Sequence, residues 1–427
     1  AVFGHWLEKA GPRKAGFAAA VTWGGGLMIA SIGISLHQLW LIWIGAGVIG
    51  GIGLGLGYIS PVSTLIKWFP DRRGLATGMA IMGFGGGAMI GMPLGDSLIS
   101  AYGVAQTFFI MGIIYFIAMT IGAFGYRVPA NGWKPKNWNP SITKTTNMIS
   151  KNHVHVGVAH KTPQFWLLWG VLCLNVSAGI GVLSVAKPMF QEIAASSFDP
   201  LIIGAIATGF GALLSLANII GRIFWASSSD FLGRKLTYAI FFSLGTALYL
   251  AAPWAGLNQY IAAFVVITLV ILTMYGGGFA TIPAYLADIF GTQHVGAIHG
   301  RLLTAWSLAG IIGPMLISYL REYQLALGIP TDQAYNASFK ILALLLVGGF
   351  ILNLLVKPVN KKFFMTDTEL KKEQGALKVR STGPIISSSK TNTSLQKIVL
   401  PLAWMVVGVP IILGIFNALQ KGIIIFL

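Results

Sequence analysis

"GIGLGLGYISPVSTLIKWFPDRRG" spans residues 51–74 and sets a glycine at every second position from 51 to 57 before ending in a charged cluster. Two readings compete: a glycine-rich loop that cradles phosphate beside basic residues, or the face of a membrane helix. A phosphate loop needs a strand before it and a helix after it, inside a soluble α/β unit. The stretch upstream, "LWLIWIGAGVIG" (39–50), is apolar throughout and does not alternate. In a helix, Gly47, Gly51 and Gly55 share one stripe and Gly53 and Gly57 another. Small residues four apart let helix backbones approach closely in lipid, where packing drives association. The charged end, Lys67 to Arg73, then marks the membrane boundary. The phosphate reading fails, and a helical packing face is expected.

Composition widens this reading to the whole chain. Its 427 residues are 55% hydrophobic and only 10% charged, against about 25% charged in soluble domains. An all-α polytopic membrane protein is expected. The formal net charge of +17 could suggest nucleic acid, but the Lys and Arg residues sit in short connectors between apolar runs, so no nucleic-acid partner is expected. The single cysteine, Cys173, excludes internal disulfides and a cysteine metal site. Runs long enough to cross a bilayer, roughly 20 residues each, fall at 15–36, 39–66, 74–95, 104–126, 164–190, 201–226, 236–254, 259–286, 300–320 and 338–356. An extra run at 398–419 follows a polar tail, 359–397.

The opening "AVFGHWLEKAGPRK" reads as the tail of a helix whose start precedes the chain. Placing residues 4–14 in the cytoplasm and alternating sides leaves only Lys187, Arg321, Lys340 and Lys421 outside, with Arg222 inside a helix. All other Lys and Arg face the cytoplasm, as the positive-inside rule requires. A connector at 127–163 holds six basic residues and no acid, and separates a bundle at 1–126 from one at 164–358. "GHWLEKAGPRK" (4–14) and "ASSSDFLGRK" (226–235) share an acid, two spacers, a Gly and then basic residues; "YISPVSTLIKWFPDRRG" (58–74) parallels "FATIPAYLADIFGTQHVG" (279–296). Such repeats mark transporters built from related halves, and by this matching the first half lacks about two helices.

Arg222 is the sharpest chemical signal. It lies in "SLANIIGRIFW", where Ser215, Asn218 and Arg222 form one polar stripe at i, i+3 and i+7. An arginine in hydrocarbon normally faces a bundle interior or wet cavity, and its planar fork suits a carboxylate. The rival reading is snorkelling toward Asp230, about 12 Å along the helix at 1.5 Å per residue. Tyr58, Tyr275 and Trp306 are candidate aromatic walls, with plain packing as the alternative for each. Asn175 and Ser184 are candidate lining residues, and Lys187 either attracts anions at the outer vestibule or sits among headgroups. His294 and His299 read as solvated loop residues, and no metal site is expected. The Gly-rich "GFGGGAMIGMP" (83–93) suits helix packing. All twelve acids fall in loops or at helix edges. Proton-coupled carriers need a titratable group buried mid-membrane, so their absence there leans toward anion exchange or facilitated movement.

The loop "GHWLEKAGPRK" resembles the signature loop of the major facilitator superfamily. The ordered set "GYISPV", "KWFPDRRGLATG", "GWKPKNWNP", "GRIFWASSSDFLGRK", "FATIPAYLADIFG" and "AWSLAGIIGP" is similar to its oxalate–formate antiporter family, across roughly residues 1–357. The resemblance implies twelve helices in two pseudo-symmetric bundles, a central cavity and alternating access; "GFGGGAMIGMP" is similar to the fifth-helix motif of antiporters, and the helix at 398–419 lies outside the pattern. It also implies a carboxylate-binding arginine at Arg222. The family's oxalate carrier has an eleventh-helix lysine where this chain has Trp306, which disfavours a dianion. Glu8, Arg13, Lys14, Asp230, Arg234 and Lys235 are expected to clamp loops between states rather than to bind substrate. The expectation is a monomeric, cofactor-free carrier of small carboxylates in a prokaryotic inner membrane. A receptor or assembly partner that kept the fold and lost transport is the alternative, and nothing points to an enzyme.

Overall fold

The computed structural model describes residues 6–7, 10–129, 133, 135, 148–150, 152–370, 412, 415, 416 and 419. Glu8, residues 130–132, 134, 136–147 and 151 of the connector, and most of the 398–419 run lie outside the described residues. Helix α1 (Pro12–Ser35) opens on a proline at its first turn, where the missing N–H costs nothing. Helix α2 (Leu39–Trp68) widens its turn over Trp43–Ile49. Helix α3 (Arg73–Gly125) holds two of the expected runs, parted at Gly103, whose φ of 79° and ψ of 173° break the helical path. Only glycine reaches that conformation without strain.

Beyond the connector come α4 (Val156–Ala159), α5 (Pro163–Ser184), α6 (Ala186–Ile193), α7 (Ile203–Leu232), α8 (Arg234–Leu257), α9 (Ile261–Phe290), α10 (Val295–Leu302), α11 (Thr304–Ala326) and α12 (Asn336–Leu355). The expected 164–190 run is thus two helices, α5 and α6, and the 300–320 run is preceded by α10. Among the described residues, nine helical stretches are long and apolar enough to cross a membrane.

Glycines set the helix spacing. In the first group, α1 lies against α2 and against residues 104–125 of α3. Ser31 Oγ donates to the carbonyl of Ala105 at 2.6 Å. In the second group α7 packs on α9, α5 on α11, and α8 on α12. The groups meet where residues 73–102 of α3 cross α7 and where α2 touches α10. Two repeats seen in the sequence share geometry: Gly11 and Gly233, each before a basic pair's helix, have φ of 84° and 86°, and Pro61 and Pro283 both lie inside helices.

The opening glycine stretch divides differently from its expectation. A Cβ at Gly53 would lie 2.4 Å from Trp23 N, and one at Gly57 would touch Met119 and Ala19. Gly47, Gly51 and Gly55 meet nothing within 4 Å. One stripe packs, against α1 and the second part of α3, and the other faces none of the described residues. Gly53→Ala should therefore destabilise the protein by about 1–3 kcal/mol, the usual cost of overpacking, whereas Gly55→Ala should be neutral or slightly stabilising. Thermal unfolding followed by size-exclusion fluorescence checks this, and equal midpoints for the two variants would contradict it.

Candidate functional site

Arg222 is 2% exposed, and it does not snorkel. Its Nε donates to Asn218 Oδ1 at 3.2 Å, one turn earlier on α7. Its Nη1 donates at 2.7 Å to the main-chain carbonyl of Ile81 on α3, across the junction between the two helix groups. The guanidinium carbon lies 5.7 Å from the Phe84 ring centre and 5.5 Å from that of Phe279, so two aromatic faces supply about 0.5–2 kcal/mol each of cation–π attraction. Among the described residues no carboxylate pairs with it.

The aromatic candidates gather around that group. Tyr58 lies 5.2 Å from Phe279 and 5.9 Å from Phe84, ring centre to ring centre. Trp306 lies 5.6 Å from Phe279 and 5.8 Å from Phe84. Trp306 is therefore a wall of this cluster rather than a lipid-facing ring. Ser215 is on the same helix, but its hydroxyl is turned back to the Gly211 carbonyl at 3.1 Å. Asn175 is buried against Gly278, and its Oδ1 has no hydrogen-bond partner among the described residues. Lys187 and Ser184 are exposed, and Ser184 only bonds the Gly181 carbonyl.

What makes room for this polarity is a run of three glycines. A Cβ at Gly276 would lie 2.2 Å from Asn218 O, one at Gly277 would lie 2.5 Å from Trp225 Cβ, and one at Gly278 would lie 2.2 Å from Asn175 Oδ1. The triplet in "MYGGGFA" is the sequence signal for this convergence. Phe84 and Phe279 carry no such signal. His299 corrects an expectation: it is 1% exposed rather than solvated, and its Nε2 lies 3.3 Å from the Tyr58 hydroxyl. His294 is buried as well. A titratable group therefore does lie inside the bundle, beside the aromatic cluster.

A second constellation closes one end of the molecule, where residues 69–72, 233 and 291–294 lie. Asp230, near the end of α7, accepts from the N–H groups of Gly74 and Leu75 at 2.9 and 3.0 Å. These are unpaired donors of α3's first turn, whose own N-cap residue supplies no side-chain bond, and a carboxylate there also meets the positive end of the helix dipole. Gly74 permits the approach, since a Cβ would fall 2.0 Å from Ala226 O. Arg234 ties Asp230 (2.5 Å) to Asp288 (3.2 Å), and Arg73 reaches Asp288 at 3.1 Å. Asp230 and Arg234 thus share one ion-pair network with Arg73 and Asp288, which the sequence does not single out.

Other expected clamp residues do different work. Arg13 donates to the Tyr126 carbonyl at 2.9 Å, Lys14 is exposed, and Lys235 reaches the carbonyls of Leu354 and Val356 at 2.8 Å each. The latter are free acceptors at the end of α12. Beneath the clamp, Ile59, Val62, Ser63 and Ile66 of α2 face Pro283, Val295, Gly296 and His299 across a crevice too narrow for water. His153 in the connector is held below the ordinary histidine value by burial, then by His294 and Arg73. Protonating it therefore disfavours this closed arrangement as pH falls below about 6.5.

The family profile described as Major Facilitator Superfamily matches residues 1–314 and 177–426. The chain belongs to the major facilitator superfamily. It is 26% identical over 377 residues to the oxalate:formate antiporter of Oxalobacter formigenes, covering 86% of this chain and 82% of that one. It is 23% identical to monocarboxylate transporter 12 of Xenopus laevis, covering 84% and 75%. The fucose:proton symporter FucP of E. coli superposes with a TM-score of 0.58 at 14% identity, covering 83% and 86%. This superfamily member is a multi-pass membrane transporter, not an enzyme. Replacing Asp230 by Ala should loosen the closed end by about 1 kcal/mol, as lost helix caps do. A cysteine placed at Ser63 should then be alkylated faster than in the parent protein, and an unchanged rate would remove Asp230 from the closure.

Proposed function

We propose that this transporter carries small carboxylate anions, monocarboxylates in preference to dianions, by exchange across a prokaryotic inner membrane. One observation carries the reading: Arg222 is a buried cation between the two helix groups, held by neutral acceptors and aromatic faces, with no anion among the described residues to balance it. A buried charge without a counter-charge is costly, and a bound carboxylate supplies one. The named substrates of the relatives, oxalate and formate and the monocarboxylates, are of this class.

The basic loops put the Asp230–Arg234–Asp288–Arg73 clamp at the cytoplasmic end. This conformation is therefore closed toward the cytoplasm, and opening it while the other end closes gives alternating access. Exchange fits a site whose central charge is permanent. Switching with an empty site moves an uncompensated guanidinium through the bilayer centre, whereas switching with a carboxylate bound moves a neutral pair. Loaded transitions in both directions are then the faster ones.

Counterflow of labelled lactate, formate and oxalate in proteoliposomes of the full-length protein tests the function; binding without exchange would mark a receptor instead. Arg222→Gln should nearly abolish binding, since breaking a charge pair in a dry site costs roughly 2–5 kcal/mol. Arg222→Lys should restore it only in part, because a point charge lacks the bidentate fork. Trp306→Lys should move preference toward oxalate by adding a second cation to the aromatic cluster. Normal lactate binding by well-expressed Arg222→Gln would refute the assignment.

A further inference from the structure

The bond from Arg222 to Ile81 joins a side chain of one helix group to the main chain of the other. It depends on a residue one turn further along α3. A carbonyl oxygen has two lone pairs; in a helix one is used by the N–H four residues on, and the side chain there crowds the other. At Ile81 that later residue is Gly85, which lets a second donor approach closely. A Cβ at Gly85 would lie 3.0 Å from Arg222 Nε and 3.1 Å from Cζ, within the space of the guanidinium. Its neighbours on the same helix, Gly83 and Gly87, would meet nothing within 4 Å. Of these three glycines, only Gly85 is required by Arg222.

The same bond reports which end of the molecule is shut. Residues 73–102 lie on α7 through Asp230's hold on α3, through Gly74 against Ala226, and through Gly78, where a Cβ would fall 2.6 Å from the Arg222 carbonyl. Separating α3 from α7 at that end withdraws the Ile81 carbonyl. With it in place, Nε and Nη1 are anchored, while Nη2 makes no hydrogen bond among the described residues and is presented to a ligand.

Resting on the reading of Arg222 as the anion ligand, we infer that Gly85 and the Ile81 carbonyl are positioning groups that hold the Arg222 fork ready for a carboxylate while the Asp230 end is closed, and release it when that end opens. Anion affinity then differs between the two states. By linkage, a bound carboxylate favours the closed end.

The test uses full-length protein in nanodiscs, with labelled lactate as the probe. Gly85→Ala should weaken lactate binding about tenfold, within the usual range of coupling between sites, while Gly83→Ala and Gly87→Ala stay within about twofold of the parent. A second variant replaces the amide joining Ile81 and Met82 by an ester, which weakens the carbonyl as an acceptor and leaves every side chain in place. It should reproduce the loss, and it decides alone if Gly85→Ala does not accumulate. Spin labels at Phe69→Cys and Phe231→Cys, in a Cys173→Ser background, read the closed end directly. Saturating lactate should shorten that distance in the parent and leave it unchanged in Gly85→Ala, a separation of occupancy from state that lost stability would not produce. Parent-like affinity and a parent-like distance shift in the ester variant overturn the inference and leave the site reading intact. Undiminished lactate binding by Arg222→Gln overturns the site reading, and the inference with it.

Discussion

The carboxylate of Asp230 on the first turn of α3 is the contact on which the rest of the arrangement depends. It satisfies two N–H groups of a helix that brings no cap of its own, and it does so from the opposite helix group. Because Gly74 and Gly78 remove the side chains between them, α3 and α7 then lie nearly backbone to backbone. That close crossing carries the Ile81 carbonyl to Arg222 and sets Phe84 beside Phe279. Arg234, Asp288 and Arg73 neutralise the junction, so closing it buries two guanidinium groups opposite two carboxylates instead of leaving charge unpaired.

The Arg222 cluster and the Asp230 network are therefore parts of one helix crossing. Going from Arg222 to Asp230 is two turns of α7, and going from Ile81 to Gly74 is two turns of α3. A rocking motion that parts the helices at Asp230 has its largest displacement there and a smaller one at Arg222. The end of the connector is stitched to the second helix group, with Ser150 N bonding the Asp288 carbonyl, Val154 N the Phe290 carbonyl and Met365 N the His153 carbonyl. Ser150 and Val154 thus move with α9.

Hydropathy makes the helices legible from sequence, because an apolar run of membrane length has few other folds open to it. Arg222 is legible for the same reason in reverse: a lone cation in such a run stands out. Boundaries are less so. The 74–95 and 104–126 runs merge into a single element broken only at Gly103, since one glycine at positive φ turns the chain without a polar loop. Phe84, Phe279 and His299 escape because what makes them part of the site is a neighbour on another helix. His299 in particular reads as a loop residue from its polar surroundings in "GTQHVGAIHGR", yet the chain has already re-entered a helix that packs on Tyr58. The glycine triplet at 276–278 is visible but silent until Asn175 and Asn218 are found lying on it.

The acceptor that Arg222 finds on the opposite helix group is a peptide carbonyl, and this shapes how the protein can vary. A side-chain partner can be deleted by one codon change; a carbonyl at position 81 persists through substitutions there. Isoleucine can become valine, leucine or methionine without removing the oxygen. The vulnerable position lies instead at Gly85, where any replacement adds atoms. Sequence drift in α3 is thus free to change the side chains around Arg222 while the tie between the two helix groups endures.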